Sequence, residues 1–253
     1  MKLNFRTLGE GQPLIILHGL FGSADNWQTL GKEFAKNFRV YLVDLRNHGN
    51  SPHSDEFNYD LLADDVKELV DEEGLQKVIL LGHSMGGKTA MTFATNFPDL
   101  VDKLILVDIG PKKYPPHHEN VYNGFHSIDM ESLASRKDAD DQLSKTIGDF
   151  GVRQFILKNL SRNSDGSFEW KINLDSLTKN AHEVGRALDP GDRFEGATLF
   201  IGGAKSGYIK TEDHDLIKSH FPSARIEMIE GSGHWVHAEK PRELYQIVMD
   251  FLS

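Results

Sequence analysis

The sequence predicts an α/β fold, with a mostly parallel central sheet, helices on both of its faces and a mainly helical insertion. Short apolar runs alternate along the chain with segments of helical periodicity, which is typical of parallel strands joined by crossover helices. This alternation stops after residue 110 and returns near residue 197, which indicates the insertion. Because ligands bind outside the carboxyl ends of such strands, the polar residues that follow the runs are expected at one site. They are His18, Asp44, Ser84, Asp108, Ser206 and His234.

The composition sets limits on compartment and partners. The chain has 253 residues and a net charge of −10, which argues against a nucleic-acid or anionic-membrane partner. It contains no cysteine, so disulfides and thiolate catalysis are excluded and a reducing compartment is expected. The first residues lack a signal-peptide core, and no apolar run approaches the roughly 18 residues of a membrane span. The sequence therefore predicts a cytoplasmic protein without stable membrane insertion, and it does not indicate the oligomeric state.

The first 110 residues carry most of the predicted sheet. Alternating or continuous apolar residues predict strands at 2–8, 14–17, 39–43, 78–81 and 104–108. Helices are predicted at 27–38 and 59–73, and a third begins at Lys88. The helix at 59–73 has apolar residues on one face and acidic residues on the other, so its apolar face is expected to pack on the sheet.

Residues 111–196 are predicted to form a lid over the carboxyl edge of the sheet. Their pattern is polar and irregular, with helices predicted at 119–128, 137–147 and 152–160 and a short strand at 168–172. The strand–helix alternation then returns, with strands at 198–201 and 225–229 and helices at 213–221 and 241–252. The predicted core domain therefore comprises residues 1–110 and 197–253.

The stretch Gly82-His83-Ser84-Met85-Gly86 has the Gly-x-Ser-x-Gly spacing of a nucleophile elbow. A serine on a sharp strand-to-helix turn takes a strained backbone conformation, and the residues two before and two after it crowd each other. A serine hydroxyl also needs a neighbouring base to take its proton. In proteins with this elbow, the catalytic residues follow one another along the chain in the order serine, acid, histidine. His234 follows Gly233 on the loop after the last predicted strand, and we predict that it is this base. His83 and His237 are interpreted as structural.

The same residues allow a nucleotide-binding alternative. Gly82-x4-Gly87-Lys88-Thr89 matches a phosphate-binding loop, and Asp108 closes a strand of the kind that binds magnesium. A phosphate loop, however, needs neither glycine on both sides of Ser84 nor a Gly-His pair after the last strand. His117-His118-Glu119 is interpreted as a solvated segment rather than a metal site, so neither a metal nor another cofactor is expected.

Together these motifs resemble those of the α/β-hydrolase superfamily over nearly the whole chain. The resemblance also includes His18-Gly19 after a strand and the Asp44-x-Arg46-x-His48-Gly49-x-Ser51 loop. It is closest to small bacterial YbfF-like acyl esterases and their mitochondrial abhydrolase relatives, whose elbow at Ser84 and Gly-His-Trp-Val-His-Ala-Glu-Lys-Pro ending at 233–241 are both present. It implies an α/β-hydrolase fold and a cofactor-free serine hydrolase, which cleaves carboxylic esters or acyl thioesters of short to medium acyl chains through an acyl-enzyme. A C–C bond hydrolase and a small-molecule receptor without turnover remain open alternatives.

The remaining site residues follow from this chemistry. Two backbone N–H groups, of Leu20 and Met85, are predicted to form an oxyanion hole for the charge that develops on the substrate oxygen. Four aromatic side chains are predicted to contact the substrate: Phe21, Trp235, Tyr114 and Phe125.

The acid is assigned to Asp108. In most relatives the acid follows the strand predicted here at 198–201, but the loop at 202–209 has no carboxylate and Ser206 takes that place. An aspartate that closes an apolar strand is costly unless it is paired, so Asp108 is expected to orient His234, as the resemblance also implies. Ser206 is predicted to be a second hydrogen-bond partner that helps to fix the ring.

Overall fold

A computed structural model describes residues 1–115 and 119–253, so His117 and His118 lie outside the described residues. In these two ranges the strands are β1 (Phe5–Leu8), β2 (Pro13–Leu17), β3 (Arg39–Val43), β4 (Val78–His83), β5 (Val101–Val107), β6 (Leu160–Arg162), β7 (Phe168–Trp170), β8 (Ala197–Gly203) and β9 (Ala224–Ile229). Seven of them form one sheet in the order β1-β3-β2-β4-β5-β8-β9. Only β1 runs antiparallel to its neighbour in this sheet, so the predicted mostly parallel class is confirmed.

The described helices cover both faces of the sheet. They are α1 (Gln28–Phe34), α2 (Tyr59–Glu72), α3 (Met85–Asn96), α4 (Glu119–His126), α5 (Arg136–Leu143), α6 (Phe150–Leu157), α7 (Leu174–Lys179), α8 (Ala181–Val184), α9 (His214–His220), α10 (Val236–Glu239) and α11 (Pro241–Leu252). Successive residues of β2 point to opposite faces, so Ile15 joins one apolar cluster with α2 and α3. Its neighbour Ile16 joins the other cluster, with α1 and α11.

The segment between β5 and β8 contains α4–α8 and the hairpin of β6 and β7. Its buried side chains, among them Tyr122 and Phe125, belong to the same apolar cluster as β2 and α2. Two hydrogen bonds also join it to the core, one from α2 and one to the loop after β2. The Tyr59 hydroxyl donates to the Val184 carbonyl at 2.6 Å, and the Asn159 amide donates to the Phe21 carbonyl at 2.9 Å. The segment is therefore packed against the core rather than attached to it by its ends alone.

At the elbow, the structure differs from the sequence-based expectation in the start of α3. The helix begins at Met85 and not at Lys88, because Ser84 turns the chain from β4 directly into the helix. Two glycines in the first turn made that turn look like a loop, since glycine has low helix propensity. In the two described ranges, no helix is both long enough and apolar enough to span a lipid bilayer.

Candidate active site

Ser84 lies on the turn between β4 and α3 with φ 52° and ψ −117°, a conformation that side chains other than glycine rarely adopt. The turn is tight enough that a Cβ on Gly82 would lie 2.2 Å from the Gly86 carbonyl oxygen. A Cβ on Gly86 would lie 2.4 Å from the Leu17 carbonyl oxygen on β2. Both glycines are therefore needed for close backbone approach, and the turn presents Ser84 at the carboxyl edge of the sheet.

A continuous hydrogen-bonded chain runs from Ser84 through His234 to Asp108. His234 Nε2 lies 3.1 Å from Ser84 Oγ, and His234 Nδ1 lies 2.7 Å from Asp108 Oδ2. In the neutral ring, Nδ1–H donates to the carboxylate and Nε2 accepts from the serine hydroxyl. This tautomer can take a proton from Ser84, which is how a histidine activates a serine for attack on a carbonyl carbon.

Asp108 is fully buried at the end of β5, with φ 50°. Its Oδ1 accepts the Gly203 N–H at 2.9 Å, and its Oδ2 accepts the Ser206 hydroxyl at 2.5 Å in addition to His234. Three donors therefore compensate the cost of burying this carboxylate. The Ser206 hydroxyl therefore bonds to the carboxylate that holds the ring of His234, which differs from the predicted contact with the ring itself.

Two backbone N–H groups lie beside Ser84, those of Leu20 after β2 and of Met85 at the start of α3. Within 1–115 and 119–253, neither N–H has a hydrogen-bond acceptor. Gly19 lets the Leu20 loop come this close, since a Cβ there would lie 3.3 Å from Ser84 Cβ. Such N–H groups can bind the oxygen on which negative charge develops during acyl transfer.

Two buried histidines brace the loop that carries Leu20. The Phe21 N–H donates to His48 Nε2 at 3.1 Å, and the Leu45 N–H donates to His18 Nε2 at 3.0 Å. The first contact holds Phe21 at φ 59°, which fixes the orientation of the peptide next to Leu20. Both histidines belong to the sequence motifs described above. Their hydrogen bonds, however, join two loops that are distant in sequence, so the spacing of the motifs does not predict them.

A cavity of about 90 Å³ opens beside Ser84. Most of its lining is apolar and comes from the Leu20 loop, from α4 and α6 and from the loop after β9: Leu20, Phe21, Trp27, Val121, Val152, Phe155 and Trp235. It shares Asn26, Phe155, Trp235 and His237 with a surface groove of about 270 Å³, so the cavity and the groove adjoin. Sequence reasoning missed Val121 and Val152 as lining residues, because the packing of α4 and α6 decides which of their faces meets the site. It also missed Trp27, which lies just before α1.

The four predicted substrate contacts divide into two pairs. Phe21 and Trp235 line the cavity. Phe125 lies behind Phe21, with ring centres 5.0 Å apart, and is not among the described lining residues. Tyr114 is also absent from that lining, because its hydroxyl accepts the Gly110 N–H and donates to the Tyr208 carbonyl. This placement differs from the predicted substrate contact, since both residues pack in the wall between the core and the segment that joins β5 to β8.

The other histidines near the site are neutral at physiological pH. Burial lowers the pKa of His83 well below its usual value, and the His83 Nε2–H donates to the His234 carbonyl at 2.9 Å. Burial lowers the pKa of His237 to about 3, and its ring stacks on Trp27 with centres 4.7 Å apart. Both contacts fit the interpretation of these two residues as structural.

Lys88 does not have the surroundings of a phosphate-binding lysine. Its side chain is 1% exposed, and Nζ donates to the Lys112 carbonyl at 2.7 Å. The ammonium also lies 5.3 Å from the centre of the Tyr114 ring, and burial lowers its pKa to about 7. Because the amine is held inside the protein and the elbow glycines are packed against backbone, the turn offers no phosphate cradle.

Acidification is expected to destabilise the fold through His48. Burial lowers the His48 pKa to about 3, so below pH of about 6.5 the unfolded chain binds a proton that the folded chain excludes. The free energy of unfolding should then fall as the pH drops, by about 2 kcal/mol between pH 6.5 and pH 5 from this residue. Urea unfolding at the two pH values should show a smaller loss in His48→Gln, whose amide oxygen can still accept the Phe21 N–H. The exposed His182 provides the control, and an equal loss in His48→Gln and His182→Gln would contradict the prediction.

Comparison with known proteins identifies close relatives. A model of the alpha/beta hydrolase fold family matches residues 12–241. The Escherichia coli protein named Esterase YbfF is 34% identical and is matched over 100% of both chains. The zebrafish (Danio rerio) sn-1-specific diacylglycerol lipase ABHD11 is 37% identical over 98% of this chain and 81% of its own length. A solved structure described as a marine microorganism esterase is 43% identical, covers 99% of both chains and superimposes with a TM-score of 0.96.

Proposed function

Because this chain belongs to the alpha/beta hydrolase fold family, we propose that it is a serine hydrolase that cleaves carboxylic esters. The observation that carries the proposal is the chain from Ser84 Oγ to His234 Nε2 at 3.1 Å and from His234 Nδ1 to Asp108 at 2.7 Å. In this proposal Ser84 is the nucleophile, His234 the general base and Asp108 the residue that fixes the tautomer of the base. The esterase and lipase names of the relatives support the same chemistry.

The proposed reaction has two halves. His234 Nε2 takes the Ser84 proton as Oγ attacks the ester carbonyl, and the N–H groups of Leu20 and Met85 bind the oxyanion. The imidazolium then donates its proton to the departing alkoxide, which leaves an acyl group on Ser84. In the second half His234 takes a proton from water, the hydroxide attacks the acyl carbonyl, and the proton returns to Ser84 as the acid leaves.

The proposed substrates carry short to medium acyl chains, and acyl thioesters belong to the same class because their carbonyl is attacked in the same way. The apolar cavity beside Ser84 supports this, since Phe21, Val121 and Val152 offer contact surface for alkyl groups and no fixed charge. We further propose that residues 111–196 act as a lid on a core of residues 1–110 and 197–253. Helices α4 and α6 of that segment supply part of the cavity wall, which supports the assignment.

The test combines covalent labelling with a substrate series. A fluorophosphonate should label Ser84 in the wild type, and p-nitrophenyl esters from acetyl to dodecanoyl should give the highest kcat/KM among the shorter members. Acyl-CoA thioesters and Mg-ATP extend the panel. Labelling of Ser84 without multiple turnover would favour a receptor, and turnover only on vinylogous diketones would favour a C–C bond hydrolase. Absent labelling together with nucleotide binding that Lys88→Ala abolishes would favour the phosphate-loop alternative.

A further inference from the structure

One aromatic ring lies flat against the imidazole of His234. The ring centres of Tyr208 and His234 are 4.0 Å apart and their planes differ by 16°. Ser84 and Asp108 occupy the two nitrogen edges of the imidazole, so Tyr208 covers one of its faces. We propose that Tyr208 is a positioning residue that stabilises the imidazolium formed during turnover, an inference that rests on the proposed function. Neither the family match nor the motifs of the sequence point to this residue.

Tyr208 is held in place by both loops that build the acid side of the site. Its N–H donates to Ser206 Oγ at 3.3 Å, and Ser206 in turn donates to Asp108. Its carbonyl accepts the Tyr114 hydroxyl at 2.7 Å, and that hydroxyl accepts the Gly110 N–H at 2.8 Å. The Tyr114 ring also packs against Tyr208, with ring centres 5.1 Å apart. The aromatic face is therefore fixed before the substrate binds.

The groups around His234 determine which of them can stabilise a positive charge on its ring. Among residues 1–115 and 119–253, the other rings close to His234 are those of His83, 4.8 Å away, and Trp235, 6.5 Å away. His83 and the adjacent His237 are neutral because burial lowers the pKa of both, so neither repels a charged His234. A positive charge on the imidazole then meets the Asp108 carboxylate at its edge and the electron-rich Tyr208 ring at its face.

This stacking should favour the transition state over the resting state. An aromatic face attracts a cation more strongly than a neutral ring, and the attraction grows when water is excluded. The imidazole is neutral before Ser84 is deprotonated and positive in the transition state. Interactions that strengthen in the transition state raise kcat, whereas substrate binding stays unchanged. Tyr208 is also absent from the described lining of the cavity, so its replacement should leave KM nearly unchanged.

The test varies the charge on the ring face while keeping the ring. Tyr208→Phe sets the baseline, and phenylalanines with one, three and five fluorines at position 208 withdraw electron density in steps. We expect kcat to fall stepwise, by about 3- to 30-fold from phenylalanine to pentafluorophenylalanine. KM for the same ester should stay within about twofold. The matched control is the same replacement of Tyr245 on α11, which packs on Phe34 and does not contact His234, and it should leave kcat unchanged.

Tyr208→Leu provides a second, independent variant, which has a smaller apolar side chain and no aromatic face. It should lower kcat by an amount similar to that of the pentafluoro variant. Equal kcat across the fluorine series would overturn the proposal. This holds even if Tyr208→Leu has a lower kcat, because the ring would then contribute only by filling space. Each rate is corrected by subtracting the turnover that remains in the corresponding variant that also carries Ser84→Ala. Turnover that survives Ser84→Ala would reject the proposed function itself, whereas a flat fluorine series on Ser84-dependent turnover rejects only the role of Tyr208.

Discussion

Ser84→Ala is expected to lower kcat for ester hydrolysis by about 10⁴- to 10⁶-fold with the fold intact. In the proposed mechanism the substitution removes the atom that forms the acyl-enzyme bond, so His234 and the N–H groups of Leu20 and Met85 are left without a nucleophile to assist. Alanine has the same Cβ as serine, so the backbone at φ 52° is no more strained than before. Steady-state kcat on the best p-nitrophenyl ester and fluorophosphonate labelling measure the effect, and circular dichroism with the thermal midpoint confirms folding.

Ser219→Ala is the matched control for this substitution. Ser219 is exposed on α9, and its hydroxyl donates to the Leu216 carbonyl at 2.7 Å, away from the cavity. It should keep both wild-type turnover and labelling. If Ser84→Ala keeps more than about one per cent of wild-type kcat in a preparation free of contaminating esterase, then attack by Ser84 is not the route of hydrolysis.

The sheet and the elbow were predictable because short segments of sequence determine them. Four apolar residues at 78–81, followed by Gly82-x-Ser84-x-Gly86, specify a buried strand and a tight turn without information from elsewhere. The proximity of Asp108 to His234 was also predictable, because the loop at 202–209 has no carboxylate and Asp108 closes the adjacent strand. In each case the chemical requirement and the local pattern coincide.

The contacts between loops were not predictable to the same degree. Ser206 was placed beside Asp108 and His234, but only the geometry of two strand ends shows that its hydroxyl bonds to the carboxylate. Tyr114 and Phe125 were predicted as substrate contacts, yet their side chains pack into the wall behind the cavity. In an irregular segment the aromatic residues follow no regular period. The sequence therefore does not show which of their side chains face a ligand and which face the core.

The second large effect is expected for Asp108→Asn, which should lower kcat by about 10³- to 10⁴-fold and leave KM almost unchanged. The hydrogen bonds of the site determine how the new amide is oriented. The Gly203 N–H donates to the Oδ1 position at 2.9 Å, so the amide oxygen takes that position and the NH₂ group faces His234 and Ser206. The NH₂ then donates to His234 Nδ1, which forces the proton of the neutral ring onto Nε2. A protonated Nε2 cannot accept the Ser84 proton, although every side chain stays in place.

Ser206→Ala separates this tautomer effect from the loss of one hydrogen bond to Asp108. It should cost only about tenfold to about a hundredfold in kcat, because the carboxylate keeps the Gly203 N–H and His234 and still holds Nδ1–H. Asp213 is the internal control for the acid, since its carboxylate is paired with Lys112 at 2.6 Å instead of a histidine. Asp213→Asn should therefore keep nearly full kcat, provided that the thermal midpoint shows the fold intact. Near-normal turnover in Asp108→Asn together with an inactive, folded Asp213→Asn would show that the acid acts from the loop after β8, and the tautomer argument would not hold.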